Sequence, residues 1–273
     1  MTNKWLKVAL MVTAIATGTS IKIDAETVLY VPQDDRPVSL QYTVDTAREA
    51  GMTVLTPPQH LISGKTYQGQ ADQIMAWVEQ NAGRADVMVL STDTLIYGGL
   101  VDSRKHNIPL STLQNRLKRI EGLKARNKNV RIYGFGTVMR SPRASGGGTE
   151  PAYYAEYGPT IFQIAALQDK LDSGSLTQEE TQKLMSLQAS VPVEYLQDWF
   201  DRRQKNMKIN KELIDETRSG VFDYFALGHD DTSQLSQSAL EGRYLNKYSK
   251  DISVEKYGSF PGADKLGLLL MAR

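Results

Sequence analysis

Five aspartates and several arginines of this chain fall into four short segments. Asp34, Asp35 and Arg36 are consecutive; Asp93 follows an apolar run, with Arg104 downstream; Arg140 and Arg143 follow a second run; Asp230 and Asp231 follow His229. Crowded carboxylates raise one another's pKa unless cations neutralise them. Arginine holds a carboxylate in fixed geometry through two parallel hydrogen bonds. Such a set supports three chemistries: an acid and a base for hydrolysis, as in glycosidases; oxygen ligands for a hard cation such as Mg²⁺ or Ca²⁺; or plain hydrogen bonds to the hydroxyls of a sugar. Hydrolysis is the leading expectation, with Asp35 and Asp93 as acid and base and Asp230 and Asp231 binding or tuning. Asp34, Arg36, Arg104 and Arg140 are expected to hold the substrate. Tyr97 is expected to stack on a sugar face, and His229 to lie within reach of the substrate. Each has a plain alternative. An Asp after a strand can cap the next helix and pair with an Arg, Tyr97 can be a half-buried ring, and His229 can be structural. Capping needs one acid per loop, whereas two of these loops carry two.

Composition narrows the partners. The chain has 273 residues, 41% hydrophobic and 23% charged, which is ordinary for one large globular domain or two modest ones. Lys and Arg total 32 against 31 Asp and Glu, so the basic surplus needed for a phosphate backbone is missing and nucleic acid is excluded. With no cysteine there are no disulfides, thiolate metal sites or Cys nucleophile. His60, His106 and His229 are far apart and no HExxH occurs, which argues against the common zinc enzymes. GxxxxGK[ST], a complete dinucleotide glycine fingerprint and GxSxG are also absent. The partner expected is a small-molecule or glycan substrate, with no cofactor and no metal assigned. Mg²⁺ or Ca²⁺ on the carboxylates stays open, and with it a metal-dependent phosphoesterase. A non-catalytic envelope module binding a glycan or peptide is the rival from another class.

The elements that must position these residues alternate. Thr27–Val31, Met52–Leu55, Asp86–Ser91, Val130–Gly136 and Phe222–Leu227 read as strands, apolar enough for a buried parallel sheet. Helical patterns cover Ser39–Ala50 (ended by Gly51), Gln70–Ala82 and Pro109–Asn127, the last with Ser111 and Gln114 spaced as a capping box. This predicts an α/β fold, a doubly wound and mostly parallel sheet with helices on both faces. A helical insert over about 151–220 precedes the fifth strand, with a capping box at Thr177–Glu180 and a long helix over Val193–Arg218. An insert there is expected to act as a cap over the sheet's loops. Ligands of open α/β sheets bind beyond the carboxyl ends of the strands, where all four acid and arginine segments fall.

The N-terminus reads as a signal peptide over 1–25: Lys4 and Lys7, an apolar run Val8–Ala16, then Ile23-Asp24-Ala25 as a cleavage site. The run is shorter than the roughly 20 residues of a bilayer span. The expectation is a secreted or envelope protein, touching the membrane only through its leader, with the α/β domain over 26–273. The oligomeric state cannot be read from the sequence.

Five segments together resemble the bacterial domain-of-unknown-function family 4127. They are Val31-Pro-Gln-Asp-Asp-Arg-Pro-Val38, Ser91-Thr-Asp-Thr-Leu-Ile-Tyr-Gly-Gly-Leu-Val-Asp-Ser-Arg104, Tyr133–Pro142, Leu227-Gly-His-Asp-Asp-Thr232 and Pro261-Gly-Ala-Asp264. Gln33 and His229 depart from the pattern, standing where Leu and Gln are expected. The resemblance gives motif positions and no reaction. It implies that relatives run on past Pro-Gly-Ala-Asp, so that this chain is incomplete at its C-terminus.

Overall fold

The computed structural model describes residues 25–144, 147–231 and 233–273. The leader reading over 1–25 thus lies outside the described residues, Ala25 excepted. Six strands form one sheet, all parallel: β1 (Thr27–Val31), β2 (Thr53–Leu55), β3 (Val87–Ser91), β4 (Arg131–Val138), β5 (Tyr224–His229) and β6 (Tyr257–Pro261), in the order β2-β1-β3-β4-β5-β6. The order reverses between β1 and β3, which opens a crevice beyond their carboxyl ends.

Helices cover both faces. Leu29, Val31, Met88, Leu90, Phe225 and Leu227 point to one face and pack against α2 (Ala71–Asn81), α5 (Leu110–Arg126), α8 (Val193–Ser219) and, through Leu245, α9 (Gln237–Tyr248). The intervening residues, among them Val28, Tyr30, Val87, Val89 and Phe135, point to the other face, under α1 (Gln41–Glu49) and α10 (Leu266–Met271). This period of two, with apolar residues on both sides, makes the central strands read as continuous apolar runs. The fold is the expected α/β arrangement, with one strand more. β6 escaped the sequence reading because Tyr-Gly-Ser-Phe-Pro mixes Gly and Pro into an edge strand, where both are tolerated.

Two further expectations meet corrections. The segment after β3 is not a loop but two short helices, α3 (Thr92–Tyr97) and α4 (Leu100–Lys105), with the Ser91 hydroxyl accepting from the Thr94 N–H at 3.3 Å. The capping box at Ser111 and Gln114 does not form: α5 starts after Pro109, and Gln114 donates to Glu212 at 2.6 Å instead. The box at Thr177 and Glu180 does form, opening α7 (Gln178–Ala189). The insert is helical as expected. Its helices α6 (Tyr154–Asp172), α7 and the first turns of α8 share a small core around Trp199, Ile161 and Ile164. α8 does more than fill space, because its buried polar side chains hold the loop backbones. Arg203 Nη2 donates to the Met139 carbonyl at 2.7 Å, Asn206 to Ser103 at 2.8 Å, and Arg202 Nε to His106 at 2.7 Å.

Candidate functional site

Beyond the strand ends lies a cleft of about 250 Å³. Its seven charged residues arrive from six connections. Asp34 and Arg36 come from the loop after β1, Lys65 from the loop before α2, and Arg104 from α4. Arg140 follows β4, Asp230 follows β5 and Asp264 follows β6, while Leu100 and Val101 add an apolar wall. No lining residue comes from the helical insert, so the insert supports the loops from behind and does not roof the cleft.

The ion pairs divide the cleft into two clusters. In the first, Arg36 Nε donates to Asp34 Oδ2 at 2.8 Å and Nη2 to Asp264 Oδ1 at 2.8 Å. Burial disfavours the Arg36 charge, but Asp34 and Asp264 together outweigh it and raise the guanidinium above its ordinary value. In the second, Arg104, only 3% exposed, donates through Nη2 to Asp230. Its Nη1 stands 4.0 Å from Glu150 Oε1, and its Nε has no hydrogen-bond partner. Burial pushes the Arg104 guanidinium down, against the pull of Asp230. Arg140 leans on the buried Glu150 through Nε at 2.7 Å and on Thr149 at 2.6 Å. Glu150, Lys65 and Asp264 were not among the expected site residues. Asp264 had a signal in the Pro-Gly-Ala-Asp motif. Glu150 follows a glycine-rich run that reads only as a mobile loop.

The remaining expected residues lie elsewhere. Asp93, at 3% exposure, sits beneath the cleft and lines none of it. Its Oδ2 accepts from Thr137 Oγ1 at 2.8 Å and from Gln33 Nε2 at 3.1 Å. Burial pushes its carboxyl up to about 6, with those two hydrogen bonds opposing. Asp35 turns to the other side of its loop, where the Tyr67 hydroxyl donates to it. Asp231 accepts from the Ser141 N–H at 3.2 Å and the Ser233 N–H at 2.9 Å, fastening the loops after β4 and β5 to each other. Tyr97 is a core residue with no face open for stacking: its ring lies 4.9 Å from His106 and its hydroxyl has no partner. Burial pushes that phenol well up. His229 accepts from or donates to Ser259 Oγ at 2.7 Å and faces a separate groove of about 370 Å³ with Asp231. Burial lowers its imidazole pKa.

Two glycines shape the wall that carries Arg104. Gly98 ends α3 with φ at +113°, a conformation that L residues rarely adopt. A Cβ on Gly99 would stand 1.8 Å from Ser63 Oγ, so the chain passes Ser63 only as glycine. Asp102 then accepts from the Gly69 N–H at 3.1 Å and locks the two loops. This accounts for Tyr97-Gly-Gly-Leu-Val-Asp-Ser-Arg104 as a positioning device whose working end is Arg104. Among the described residues, no three His, Cys, Asp or Glu side chains come together to hold a metal ion, and no helix is long and apolar enough to cross a membrane.

Fold and cleft define a doubly wound α/β protein with a charged pocket across its topological switch point. The model of one family, described as "Protein of unknown function (DUF4127)", matches residues 28–273, and the chain belongs to that family. No curated protein matches the chain.

Proposed function

We propose that this chain binds one unit of a carbohydrate or glycoconjugate in the strand-end cleft, and that it is exported to do so. The observation that carries this reading is the cleft itself. Its volume of about 250 Å³ suits a single saccharide ring, and carboxylates and guanidiniums from five connections face it. A sugar needs both kinds of group, since each hydroxyl donates one hydrogen bond and accepts others. Leu100 and Val101 offer the apolar surface on which the C–H face of a ring rests.

Hydrolase-like turnover is the stronger form of the same proposal. Asp34, Asp230 and Asp264 are the carboxylates available as base there, because all three line the cleft. The binding-only reading is favoured by Asp93: the one strand-end aspartate pushed up to about 6, as a general acid would be, lies under the cleft wall. The test is to incubate the full chain with a panel of glycosides and glycan fragments and follow the release of reducing ends. Release abolished in Asp230→Asn supports turnover. Binding without release, on a folded chain, supports the binding module. Neither binding nor release across the panel overturns the proposal.

A further inference from the structure

The cleft holds more hydrogen-bond donors than its own acceptors use. Lys65 lines the rim and has no carboxylate partner among the described residues. Arg104 donates through Nη2 to Asp230, while its Nη1 stands 4.0 Å from Glu150 Oε1 and its buried Nε has no hydrogen-bond partner. Arg36 and Arg140 each spend Nε and Nη2 on carboxylates, which leaves both Nη1 groups uncommitted. Against these donors, Asp230 and Asp264 each accept from one arginine and keep further lone pairs. Asp34 accepts from Arg36 through Nε at 2.8 Å and the backbone N–H at 3.2 Å.

A neutral sugar answers these donors only with hydroxyl and ring oxygens, which carry no charge and must also place their own donated protons. An oxyanion answers them, since carboxylate and phosphate oxygens only accept. Guanidinium and ammonium groups give such oxygens charge-assisted bonds, about twice as strong as neutral ones. Formal charge across the cleft is close to balanced once Glu150, behind Arg140, is counted. The selectivity therefore comes from placed donors and not from a strong net field. Lys65 is the natural anchor: it is exposed, has no carboxylate partner among the described residues, and lines the same cleft as Arg36 and Arg104.

We infer that the saccharide taken by this cleft is acidic, carrying a carboxylate or phosphate group that seats against Lys65 and the free edges of the surrounding arginines. This rests on the reading of the cleft as a saccharide site.

The test is calorimetric titration of the full chain with glucose, galactose and mannose, each beside its uronic acid and its 6-phosphate, and with inorganic phosphate alone. Two variants accompany it: Lys65→Gln, at an exposed rim, and Val101→Trp, which fills the cleft. The expected result is that at least one acidic sugar binds about tenfold or more tightly than its neutral parent. Lys65→Gln should reduce that preference to about threefold or less, and Val101→Trp should abolish binding. The uronic acid and 6-phosphate arms tell carboxylate from phosphate. Equal affinity for neutral and acidic sugars overturns the inference and leaves the saccharide site standing. An acidic preference untouched by Lys65→Gln overturns it too. Binding that survives Val101→Trp places the ligand outside the cleft and overturns the site reading. Phosphate alone binding as tightly as any sugar phosphate overturns the saccharide part and keeps the oxyanion. No binding by any probe overturns both.

Discussion

Arg36 Nη2 donates to Asp264 Oδ1 at 2.8 Å, joining the loop after β1 to the loop after β6 across 228 residues of chain. That bond, with the Arg104–Asp230 pair, closes the strand-end cleft from two sides. Both partners of the first bond are partly exposed, so its worth to stability is about 0–1 kcal/mol. Asp264→Asn should therefore leave the unfolding midpoint almost unchanged while weakening whatever the cleft binds. A large loss of stability in urea unfolding would show that the bond is structural.

Asp93 and His106 give the chain two pH effects of opposite sign. Burial pushes Asp93 up to about 6 from an unfolded value near 3.8, so between those pH values the folded state holds the proton that the unfolded state has lost. Stability from this group falls as pH rises from about 4 to about 6, by roughly 2–3 kcal/mol for a shift of that size. Asp93→Asn keeps an acceptor for Thr137 and removes the titration. Subtracting its urea-unfolding profile from that of the wild type should reveal this fall. A flat difference would contradict the buried, protonatable carboxyl.

His106 is the counterpart. Burial holds its imidazole down at about 4, with Asn206 hydrogen-bonded to it at 2.7 Å and opposing. Here the unfolded state holds the extra proton, so stability rises as pH climbs from about 4 to the ordinary histidine value near 6.5. His106→Gln should remove that rise, seen as an acid limb less steep than in the wild type. An unchanged acid limb would refute it.

Arg203 reaches from the insert to the Met139 carbonyl at 2.7 Å and the Arg140 carbonyl at 2.9 Å, and pairs with buried Glu241 at 2.7 Å. Arg203→Met strands buried Glu241 and the Arg140 carbonyl, the Met139 carbonyl keeping the Ser238 hydroxyl at 2.7 Å, at a cost of about 3–5 kcal/mol. Arg203→Met with Glu241→Met should recover much of that loss. Equal stability of Arg203→Met and wild type would show that the insert does not hold the Arg140 loop.

Gly99→Ala puts a methyl group where Ser63 stands, 1.8 Å from its Oγ. Overpacking of this kind costs about 1–3 kcal/mol. Ser63→Gly should offset part of it, so the double variant is less destabilised than the sum of the two. Additive losses would mean that the clash is relieved elsewhere.

The sheet was legible because its strands are short apolar runs, each ended by polar or proline-containing segments, and because parallel order follows from alternation with helices. Strand-end placement then brought Asp34, Arg36, Arg104, Arg140 and Asp230 to one place, as the sequence suggested. What sequence could not supply was direction. Asp34 and Asp35 are neighbours, yet one faces the cleft and the other turns to Tyr67; Asp230 and Asp231 divide in the same way. Successive residues of a loop have no fixed period, so no pattern separates them. Tyr97 looked available because its segment read as a loop; as the last residue of α3 it faces the core instead. Lys65 and Glu150 carry no motif at all and are joined to the site only by the fold.

The central claim, that the strand-end cleft is a saccharide site, is tested most directly by one comparison. The unfolding midpoint of the full chain is measured with and without a panel of neutral and acidic saccharides, beside Val101→Trp under the same conditions. A ligand that binds the native state raises the midpoint by mass action. The account predicts that at least one saccharide raises the wild-type midpoint and that the rise disappears in Val101→Trp. No rise with any saccharide, or an equal rise in the filled variant, would contradict it.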